Sequence, residues 1–282
     1  MKIGIVISGG DVSGINNFIF QIARLANADI TIFNGGIPGL LDKNHQEVAW
    51  RDLVDFSIAS IPIITSGRTS RRLLRSEYET IAKKIKSLRI DVLIMAGGDG
   101  SLQFLNTLSE FDINCFGVGM TIDNDVYGSD YTIGFSTACE QIIKEVSRLR
   151  NTGRALPGRV FMVEILGGYC GELTLQSAIK SNADIALIPE SQLPLETLAE
   201  RVKHKLTQQN SVVILCSEGY TREYSPGFQG AIDTMIKQLE PQIGVRIRKT
   251  IVGYGLRNGD PTCEEIYQGT IMASEVVRCI QS

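Results

Sequence analysis

The chain has 282 residues, of which 43% are hydrophobic, and it carries 28 basic against 31 acidic residues. This length is enough to bury a sizeable core in one large domain or two modest ones, and we expect two lobes. The net charge of −3 excludes a general attraction to nucleic acid or to an anionic membrane, so a bound anion must meet a local basic cluster.

Short apolar runs rich in valine and isoleucine recur along the chain, with helical stretches between them. Such runs predict strands buried on both faces, and hence an α/β fold with mainly parallel sheets. In chain order, the predicted strands are KIGIVIS, ADITIFN, IDVLIMAGG, INCFGVG, RVFMVEIL, ADIALIP, SVVILCSEG and KTIVGYG. Amphipathic spacing predicts helices in SGINNFIFQIARLAN, YETIAKKIKSLR, ACEQIIKEVSRLR and LETLAERVKHKLTQQ.

The boundary between the lobes is predicted near residues 148–159, where a helix ends and a polar stretch with glycine and proline precedes a strand. This divides the chain into lobes 1–150 and 151–282. The six cysteines lie far apart without a CxxC pair, which suits buried thiols in a reducing compartment. The first run, MKIGIVISGG, is too short for a signal peptide or a membrane span, so we expect a cytoplasmic protein.

Three glycine turns follow predicted strands. At the carboxyl ends of parallel strands, loop amides and helix N-termini can hold phosphate, so we expect these turns to line one cleft. The first turn matches neither GxGxxG nor the Walker A pattern, which weakens the dinucleotide and P-loop interpretations. The turns are SGGDVSG at 8–14, AGGDGS at 96–101 and GMTIDND at 119–125.

The second and third turns indicate phosphoryl chemistry. The glycines of GGDGS let the backbone approach a polyanion, and Asp99 can hold the magnesium that neutralises it. Phosphoryl transfer to an alcohol needs a carboxylate near the hydroxyl to accept its proton. Asp123 and Asp125 are two residues apart, so on an extended strand their side chains would point in the same direction. A calcium-binding pair and a solvated acidic turn are the alternatives, although the closing glutamate of an EF-hand is missing.

A set of motifs follows in order over nearly the whole chain: SGGDVSGIN, TSGRTSR, AGGDGS, TIDNDVYGSDYTIGFSTA, GR at 158–159, EILGGYCGELTL, SEGY and TIVGYGLRNGDP. With these motifs the chain resembles the 6-phosphofructokinase family of the short bacterial type. TIDND together with DYTIGFSTA is highly specific to that family. The resemblance implies two Rossmann-like lobes with the active site in the cleft between them, and transfer of a phosphoryl group to the 1-hydroxyl of fructose 6-phosphate.

The resemblance also implies a role for individual residues. Asp123 is the expected general base, Thr121 contacts the substrate or the transferring phosphoryl, and Asp99 and Asp125 serve Mg²⁺. Arg71 contacts donor phosphates and transition-state charge, a role that suits a planar guanidinium. The expected donor-binding residues are Gly10, Arg71, Gly98, Asp99, Gly100 and Ser101.

For the acceptor, the resemblance implies that arginines bind the 6-phosphate and that Glu218 holds sugar hydroxyls. In this family the residue equivalent to Arg159 reaches across from a neighbouring subunit, so a homodimer or homotetramer with shared active sites is expected. The expected acceptor-binding residues are Thr121, Asp123, Asp125, Arg159, Leu166, Gly167, Glu218, Arg248, Tyr254 and Arg257.

Donor choice depends on three positions. Gly100 favours ATP, because pyrophosphate-dependent relatives usually carry aspartate there. Met120 matches neither the glycine of ATP users nor the lysine of pyrophosphate users. Phe104 replaces a small glycine beside the nucleoside, where its ring either stacks on a base or fills the space of the base, and filling it points to pyrophosphate.

Other departures concern catalysis and the acceptor. Leu166 and Gly168 replace the methionine and arginine of an MGR motif, and loss of that cation costs a hundredfold or so in rate unless Arg68 or Arg75 substitutes. Tyr254 replaces a histidine. Three functions stay open: an ATP-dependent kinase of fructose 6-phosphate, a relative with pyrophosphate or a different phosphorylated acceptor, and a non-catalytic paralogue that binds a metabolite and regulates a partner.

Overall fold

The computed structural model describes residues 1–42, 44–69, 71–224 and 230–282. The chain forms two compact units, one made of Met1–Thr137 with Arg257–Ser282 and the other of Ala138–Leu256. The first change of unit falls between Thr137 and Ala138 rather than at the expected residue 150, and both positions lie inside one continuous helix, Phe135–Ala155. The chain also returns to the first unit at its end, where the last helix packs on the first.

The first unit is built on a sheet in the order β3-β2-β1-β4-β5. All its paired strands are parallel except β3, which is antiparallel to β2. The strands are β1 (Ile3–Ser8), β2 (Ile30–Phe33), β3 (His45–Val48), β4 (Val92–Gly97) and β5 (Cys115–Gly119). The helices are α1 (Ile15–Ala26), α2 (Gly36–Leu41), α3 (Arg75–Ser87), α4 (Asp99–Ser109) and α9 (Cys263–Gln281), with a 3-10 helix at Trp50–Phe56.

The central strands form because their side chains are apolar throughout. β1 and β4 are buried along their whole length, as continuous apolar runs predict. The sequence did not reveal β3, whose residues HQEV form a short polar strand at the sheet edge. The prediction of an α/β fold with mainly parallel sheets is confirmed.

The register of β1, β4 and β5 brings their carboxyl ends level. Ser8 lies opposite Gly97, and Gly97 lies opposite Gly119. After β1, the chain adds β2 and β3 at one edge of β1. It then returns to add β4 and β5 at the other edge, so the strand order reverses between β1 and β4. Ligands of open α/β sheets bind at such a reversal. The three glycine turns therefore emerge side by side.

The second unit has a parallel sheet in the order β7-β8-β6-β9. Its strands are β6 (Arg159–Ile165), β7 (Ile185–Leu187), β8 (Ser211–Ser217) and β9 (Ile247–Ile251). The helices are α5 (Phe135–Ala155), which begins in the first unit, α6 (Glu172–Ser181), α7 (Leu195–Gln208) and α8 (Ala231–Ile243), with 3-10 helices at Tyr220–Tyr224 and Gly253–Arg257. None of the helices in the described ranges is long and apolar enough to cross a membrane.

A fully buried carboxylate joins α9 to the segment that follows the acidic turn. Glu265 is 0% exposed and accepts hydrogen bonds from the Gly134 amide at 2.7 Å and the Thr137 amide at 3.0 Å. The Thr137 hydroxyl donates to it as well, at 3.0 Å. Burial raises the pKa of Glu265, and these donors oppose the rise. Glu265 therefore fixes the start of α5 from the far end of the chain.

Replacing Glu265 with alanine is expected to lower the free energy of unfolding by about 3 kcal/mol, because it leaves a cavity and buried donors without an acceptor. Urea unfolding followed by circular dichroism measures the change. Glu264→Ala is the matched control, since Glu264 is exposed and contacts Gln268 on its own helix. The control should change stability by less than about 0.5 kcal/mol. Equal losses in the two variants would contradict the role of Glu265.

Candidate active site

The three glycine turns line one cavity of about 360 Å³ in the first unit. The sequence-predicted site residues that meet there are Gly10, Gly98, Asp99, Gly100, Ser101, Thr121, Asp123, Asp125 and Arg257. Arg68, Thr69 and Met120 also line it. We call this space the first cavity. It joins carboxylates, guanidinium groups and glycine turns within a small volume.

Close packing explains the glycines at two positions beside the cavity, Gly97 and Gly10. A side chain at Gly97 would meet the Ser8 carbonyl oxygen at 2.6 Å and the Ser101 side chain at the same distance. A side chain at Gly10 would overlap with the Arg257 guanidinium. Gly98 directly precedes α4, and the first residues of that helix, beginning with Asp99, line the first cavity. A helix N-terminus of this kind favours a negatively charged ligand.

The acidic turn is held by its own side chains. Asn124 adopts a left-handed conformation, with φ of 54°, and its side-chain oxygen accepts the Thr132 amide at 2.8 Å. The Thr132 hydroxyl donates to the Thr121 carbonyl at 2.7 Å. The Thr121 hydroxyl in turn accepts the Asp123 amide at 3.2 Å. These bonds fix the turn whose residues Asp123 and Asp125 line the cavity.

The carboxylates of Asp99 and Asp125 fit a magnesium ion. Partial burial raises the pKa of Asp125, and the nearby charge of Asp99 raises it further. A divalent cation between them would remove this repulsion. Within the described residues there is no cluster of three or more potential metal-ligating side chains. Two carboxylates with substrate phosphates and water are a common arrangement for Mg²⁺, whereas Ca²⁺ takes more protein oxygens.

A second cavity of about 630 Å³ adjoins the first. The two share Ile37, Thr69 and Gly100 in their walls. Phe104 lines the second cavity but is only 5% exposed, and it stacks on Tyr78 with ring centroids 5.1 Å apart. The ring therefore forms part of the wall and leaves the cavity open.

Arg71 lies in the wall of the second cavity, held by an ion pair. Its two terminal nitrogens donate to the two carboxylate oxygens of Glu77 at 2.7 and 2.8 Å. Glu77 also accepts the Leu74 amide at the start of α3. The Arg71 guanidinium and then the Leu74 amide lower the pKa of Glu77 to about 2. To contact a phosphate, Arg71 must share or leave this carboxylate. Ser70, in the same motif, lies outside the described residues.

In the second unit, Glu218 holds a tight turn beside Leu166. One carboxylate oxygen of Glu218 accepts the Gly168 amide at 2.8 Å and the Gly167 amide at 3.2 Å. Gly168 has φ of 57°, a conformation that favours glycine. The arginine of the family's MGR motif would be strained on this backbone, which gives a physical reason for the glycine.

Two of the predicted phosphate-binding arginines, Arg159 and Arg248, lie away from Glu218 along the sheet of the second unit. Arg159 is the first residue of β6, and Arg248 pairs with Phe161 two residues further along. Glu218 follows the last residue of β8, which lies opposite Ile165. At about 3.3 Å per residue, the strand separates the level of Glu218 from Arg159 by about 20 Å and from Arg248 by about 13 Å, so the backbone of one unit does not bring Arg159 to Glu218. Tyr254 is 81% exposed and lies beyond the end of β9.

Known proteins of similar sequence and structure agree with the family that the motifs indicate. A family model described as phosphofructokinase matches residues 2–280. The chain belongs to the phosphofructokinase family. This membership makes it a phosphotransferase with an alcohol acceptor.

Similar proteins in the phosphofructokinase family include one named for ATP and one named for pyrophosphate as the phosphoryl donor. The ATP-dependent 6-phosphofructokinase of Spiroplasma citri is 33% identical over 290 residues, covering 99% of this chain and 84% of that protein. The pyrophosphate–fructose 6-phosphate 1-phosphotransferase of Thermoproteus tenax is 30% identical over 272 residues, covering 93% and 80%. The structure of phosphofructokinase from Saccharomyces cerevisiae matches with a TM-score of 0.87 and 25% identity over 99% of this chain, which spans 41% of that yeast chain.

Replacing Arg71 with alanine should raise the pKa of Glu77 from about 2 toward the ordinary glutamate value of about 4.3. The return should be partial, because the Leu74 amide still donates. A carboxyl-detected NMR titration measures it, with Arg72→Ala as the control. A lowered carboxyl pKa stabilises the fold above the unfolded-state pKa, and this stabilisation is lost as the pH falls toward 2. A pKa near 4 for Glu77 in the unaltered protein would disprove the ion pair.

Proposed function

We propose that the chain transfers the γ-phosphoryl group of ATP to the 1-hydroxyl of fructose 6-phosphate in a magnesium-dependent reaction. The observation that carries this proposal is the position of Asp123 in the same cavity as Gly10, Asp99 and the start of α4. A carboxylate beside a phosphate-binding turn is what transfer to an alcohol requires. The curated relatives named above support the choice of substrates.

In this mechanism the sugar 1-hydroxyl attacks the terminal phosphorus and gives its proton to the carboxylate of Asp123. The bond from that phosphorus to the bridging oxygen breaks, and ADP leaves with the electron pair. Thr121 fixes the turn that carries Asp123, since its hydroxyl accepts the Asp123 amide. Arg257, next to Gly10, offsets charge on the phosphoryl oxygens. Asp99 and Asp125 would hold Mg²⁺, which would neutralise donor phosphates.

The second cavity supports ATP as the donor. Its volume of about 630 Å³ lies beyond Gly100, on the side away from the acidic turn. A nucleoside attached to phosphates in the first cavity would fit a volume of this size. Pyrophosphate would leave it unused. The Thermoproteus tenax relative keeps pyrophosphate as the second candidate donor.

We also propose a homo-oligomer in which neighbouring chains share active sites. The separation of Arg159 and Arg248 from Glu218 along β6 supports it, because a sugar phosphate cannot touch both ends of that strand. Exposed apolar side chains supply a surface for association. They are Val54, Phe56, Ile58 and Ile61, with exposed fractions of 45 to 72%. A cytoplasmic location belongs to this proposal, since the substrates are cytoplasmic metabolites.

Turnover should fall by about a thousandfold when Asp123 is changed to asparagine, because the amide cannot accept the hydroxyl proton. The measurement compares ATP with pyrophosphate as donor, and fructose 6-phosphate with other sugar phosphates as acceptor, in the presence of magnesium. Asp130→Asn is the control, since Asp130 lies in the same loop but not in the cavity wall.

The outcomes separate the candidate functions. Faster turnover with pyrophosphate than with ATP would identify pyrophosphate as the donor. Faster turnover with another sugar phosphate than with fructose 6-phosphate would identify that compound as the acceptor. No turnover with any pair, together with metabolite binding that Asp123→Asn leaves intact, would favour a regulatory paralogue. A twofold effect or less of Asp123→Asn on measurable turnover would overturn the role of the carboxylate.

Mixing two inactive variants tests the shared site. Arg159→Ala and Asp123→Asn should each be inactive alone, whereas chains unfolded and refolded together should regain about a quarter of the original activity in a random dimer. Regain requires that Arg159 and Asp123 of one site come from different chains. Light scattering gives the mass of the assembly. A monomer, or a mixture that stays inactive after both chains are shown to associate, would contradict shared sites.

A further inference from the structure

Two turns of the second unit meet at the carboxyl ends of the neighbouring strands β6 and β8. From β6 the chain runs on to β7 at one edge of the sheet, whereas from β8 it runs back past β6 to β9. The two connections therefore leave in opposite directions, and ligands of open α/β sheets bind in the crevice between such strands. We call residues 166–171 the β6 turn and residues 218–222 the β8 turn.

Close contacts join the β8 turn to the β6 turn. The Glu218 carboxylate accepts the amides of Gly167 and Gly168. A side chain at Gly219 would meet the Gly168 carbonyl oxygen at 2.5 Å and the Tyr169 Cα at 3.4 Å. The missing side chain of Gly219 thus allows the two turns to pack directly on each other.

Two buried residues anchor the β8 turn before its exposed end. Tyr220 is 2% exposed, and its hydroxyl donates to the Leu193 carbonyl at 2.9 Å. Thr221 is 0% exposed, and its hydroxyl donates to the Glu218 carbonyl at 3.0 Å. Arg222 follows these two residues directly and is exposed. Its backbone is therefore fixed at a point from which its side chain reaches solvent.

The guanidinium of Arg222 lies over the ring of Tyr169. Its central carbon is 4.6 Å from the ring centroid, a distance typical of a cation–π contact. The face of an aromatic ring attracts the cation without taking its five N–H donors in directed hydrogen bonds to oxygen. Tyr169 therefore holds a positive charge beside the β6 turn in an orientation that suits an oxygen-rich ligand.

Arg222 brings a charge to a turn that has none of its own. The β6 turn reads LGGYCG, without a basic residue, and Gly168 stands where the family has an arginine. Arg75, a sequence-based candidate to replace that arginine, lies over the Phe111 ring in the first unit. No carboxylate among the described residues forms an ion pair with Arg222. The second-unit cations in the described ion pairs are Lys144, Arg148, Arg150 and Lys249.

Glu218 and Arg222 together suit a ligand with both hydroxyl and phosphate groups. The two amides of the β6 turn donate to Oε1 of Glu218, and no described residue donates to its Oε2. A carboxylate oxygen accepts hydrogen bonds from sugar hydroxyls, whereas a guanidinium binds phosphate through parallel N–H donors. Lysine would offer the charge without this planar fork.

We propose that Arg222 is an acceptor-binding residue, which binds the phosphate group of the sugar phosphate whose hydroxyls Glu218 holds. Tyr169 is a positioning residue, because it fixes the guanidinium and acts on the acceptor only through it. This role of Arg222 rests on the proposed function. It gives the enzyme a means to select phosphorylated acceptors through a side chain of the β8 turn.

Steady-state kinetics with fructose 6-phosphate, ATP and magnesium test this role. Arg222→Ala should raise the KM for fructose 6-phosphate about tenfold, because the phosphate loses a charged hydrogen-bond partner. The kcat and the KM for ATP should stay within twofold, since Arg222 contacts the acceptor rather than the donor. Arg201→Ala is the matched control, because Arg201 is an exposed arginine on α7 of the same unit. It should leave all three constants within twofold.

Variants of Tyr169 test the positioning. Tyr169→Leu removes the ring and should raise the KM for fructose 6-phosphate about threefold, as loss of an exposed cation–π contact predicts. Tyr169→Phe keeps the ring and should stay within twofold. The double variant of Tyr169→Leu and Arg222→Ala should match Arg222→Ala within twofold, because the ring acts through the guanidinium. Losses that multiply in the double variant would contradict the positioning role.

Calorimetry of fructose 6-phosphate binding without a donor is a second readout that does not depend on turnover. Arg222→Ala should weaken this binding about tenfold, whereas Arg201→Ala should not change it. A KM and a binding constant of Arg222→Ala within twofold of the unaltered enzyme would overturn the role, as would equal losses in the two alanine variants. So would a lower kcat or a higher KM for ATP with an unchanged KM for fructose 6-phosphate. Thermal melting checks the fold, and if Arg222→Ala is unfolded, Arg222→Gln decides by the same limits.

The acceptor contact and the proposed reaction fail in different ways. If the unaltered enzyme shows no turnover with any pair of substrates but binds fructose 6-phosphate through Arg222, the reaction is wrong and the contact stands. If it turns over fructose 6-phosphate and Arg222→Ala matches it, the reaction stands and the role of Arg222 is wrong. Turnover of a different sugar phosphate changes the acceptor, and the limits for Arg222 then apply to that compound. An enzyme that neither binds nor turns over any sugar phosphate would overturn both.

Discussion

The parallel pairing of β1, β4 and β5 sets the position of the reactive groups in the first unit. Because Ser8, Gly97 and Gly119 lie in register, the turns that follow them leave the sheet at one edge. The first glycine turn, the start of α4 and the acidic turn then line a single cavity. A shift of one residue in this register would turn every buried side chain of a strand to the opposite face, so the core and the site constrain each other.

Charge in the cavity is balanced by groups whose positions are already fixed. Partial burial raises the pKa of Asp125, and the charge of Asp99 raises it further, so a cation there would be favoured. Arg68 is anchored to Gly9, and Arg71 is paired with Glu77. Groups ordered before binding lose little conformational freedom when a polyphosphate arrives.

In the second unit, the predicted acceptor-binding residue Glu218 also holds the backbone. Its carboxylate accepts the amides of Gly167 and Gly168, and Gly168 has a φ of 57°, which favours glycine. Arg159 and Arg248 lie away from Glu218 along the same sheet. The length of β6 thus links the chemistry of the acceptor to association between chains, as the proposed shared site requires.

The sequence by itself determined the α/β class, the principal strands and the turns around Gly10, Asp99 and Asp123, because continuous apolar runs and glycine motifs report local burial and backbone shape. It missed β3, whose HQEV residues form a short, mostly polar edge strand, and it did not show that the end of the chain returns to the first unit. Only the tertiary structure placed Arg257 beside Gly10, Glu265 under the start of α5, and Arg68 over Gly9. Contacts between residues so far apart depend on how sheets and helices pack, which no local pattern encodes.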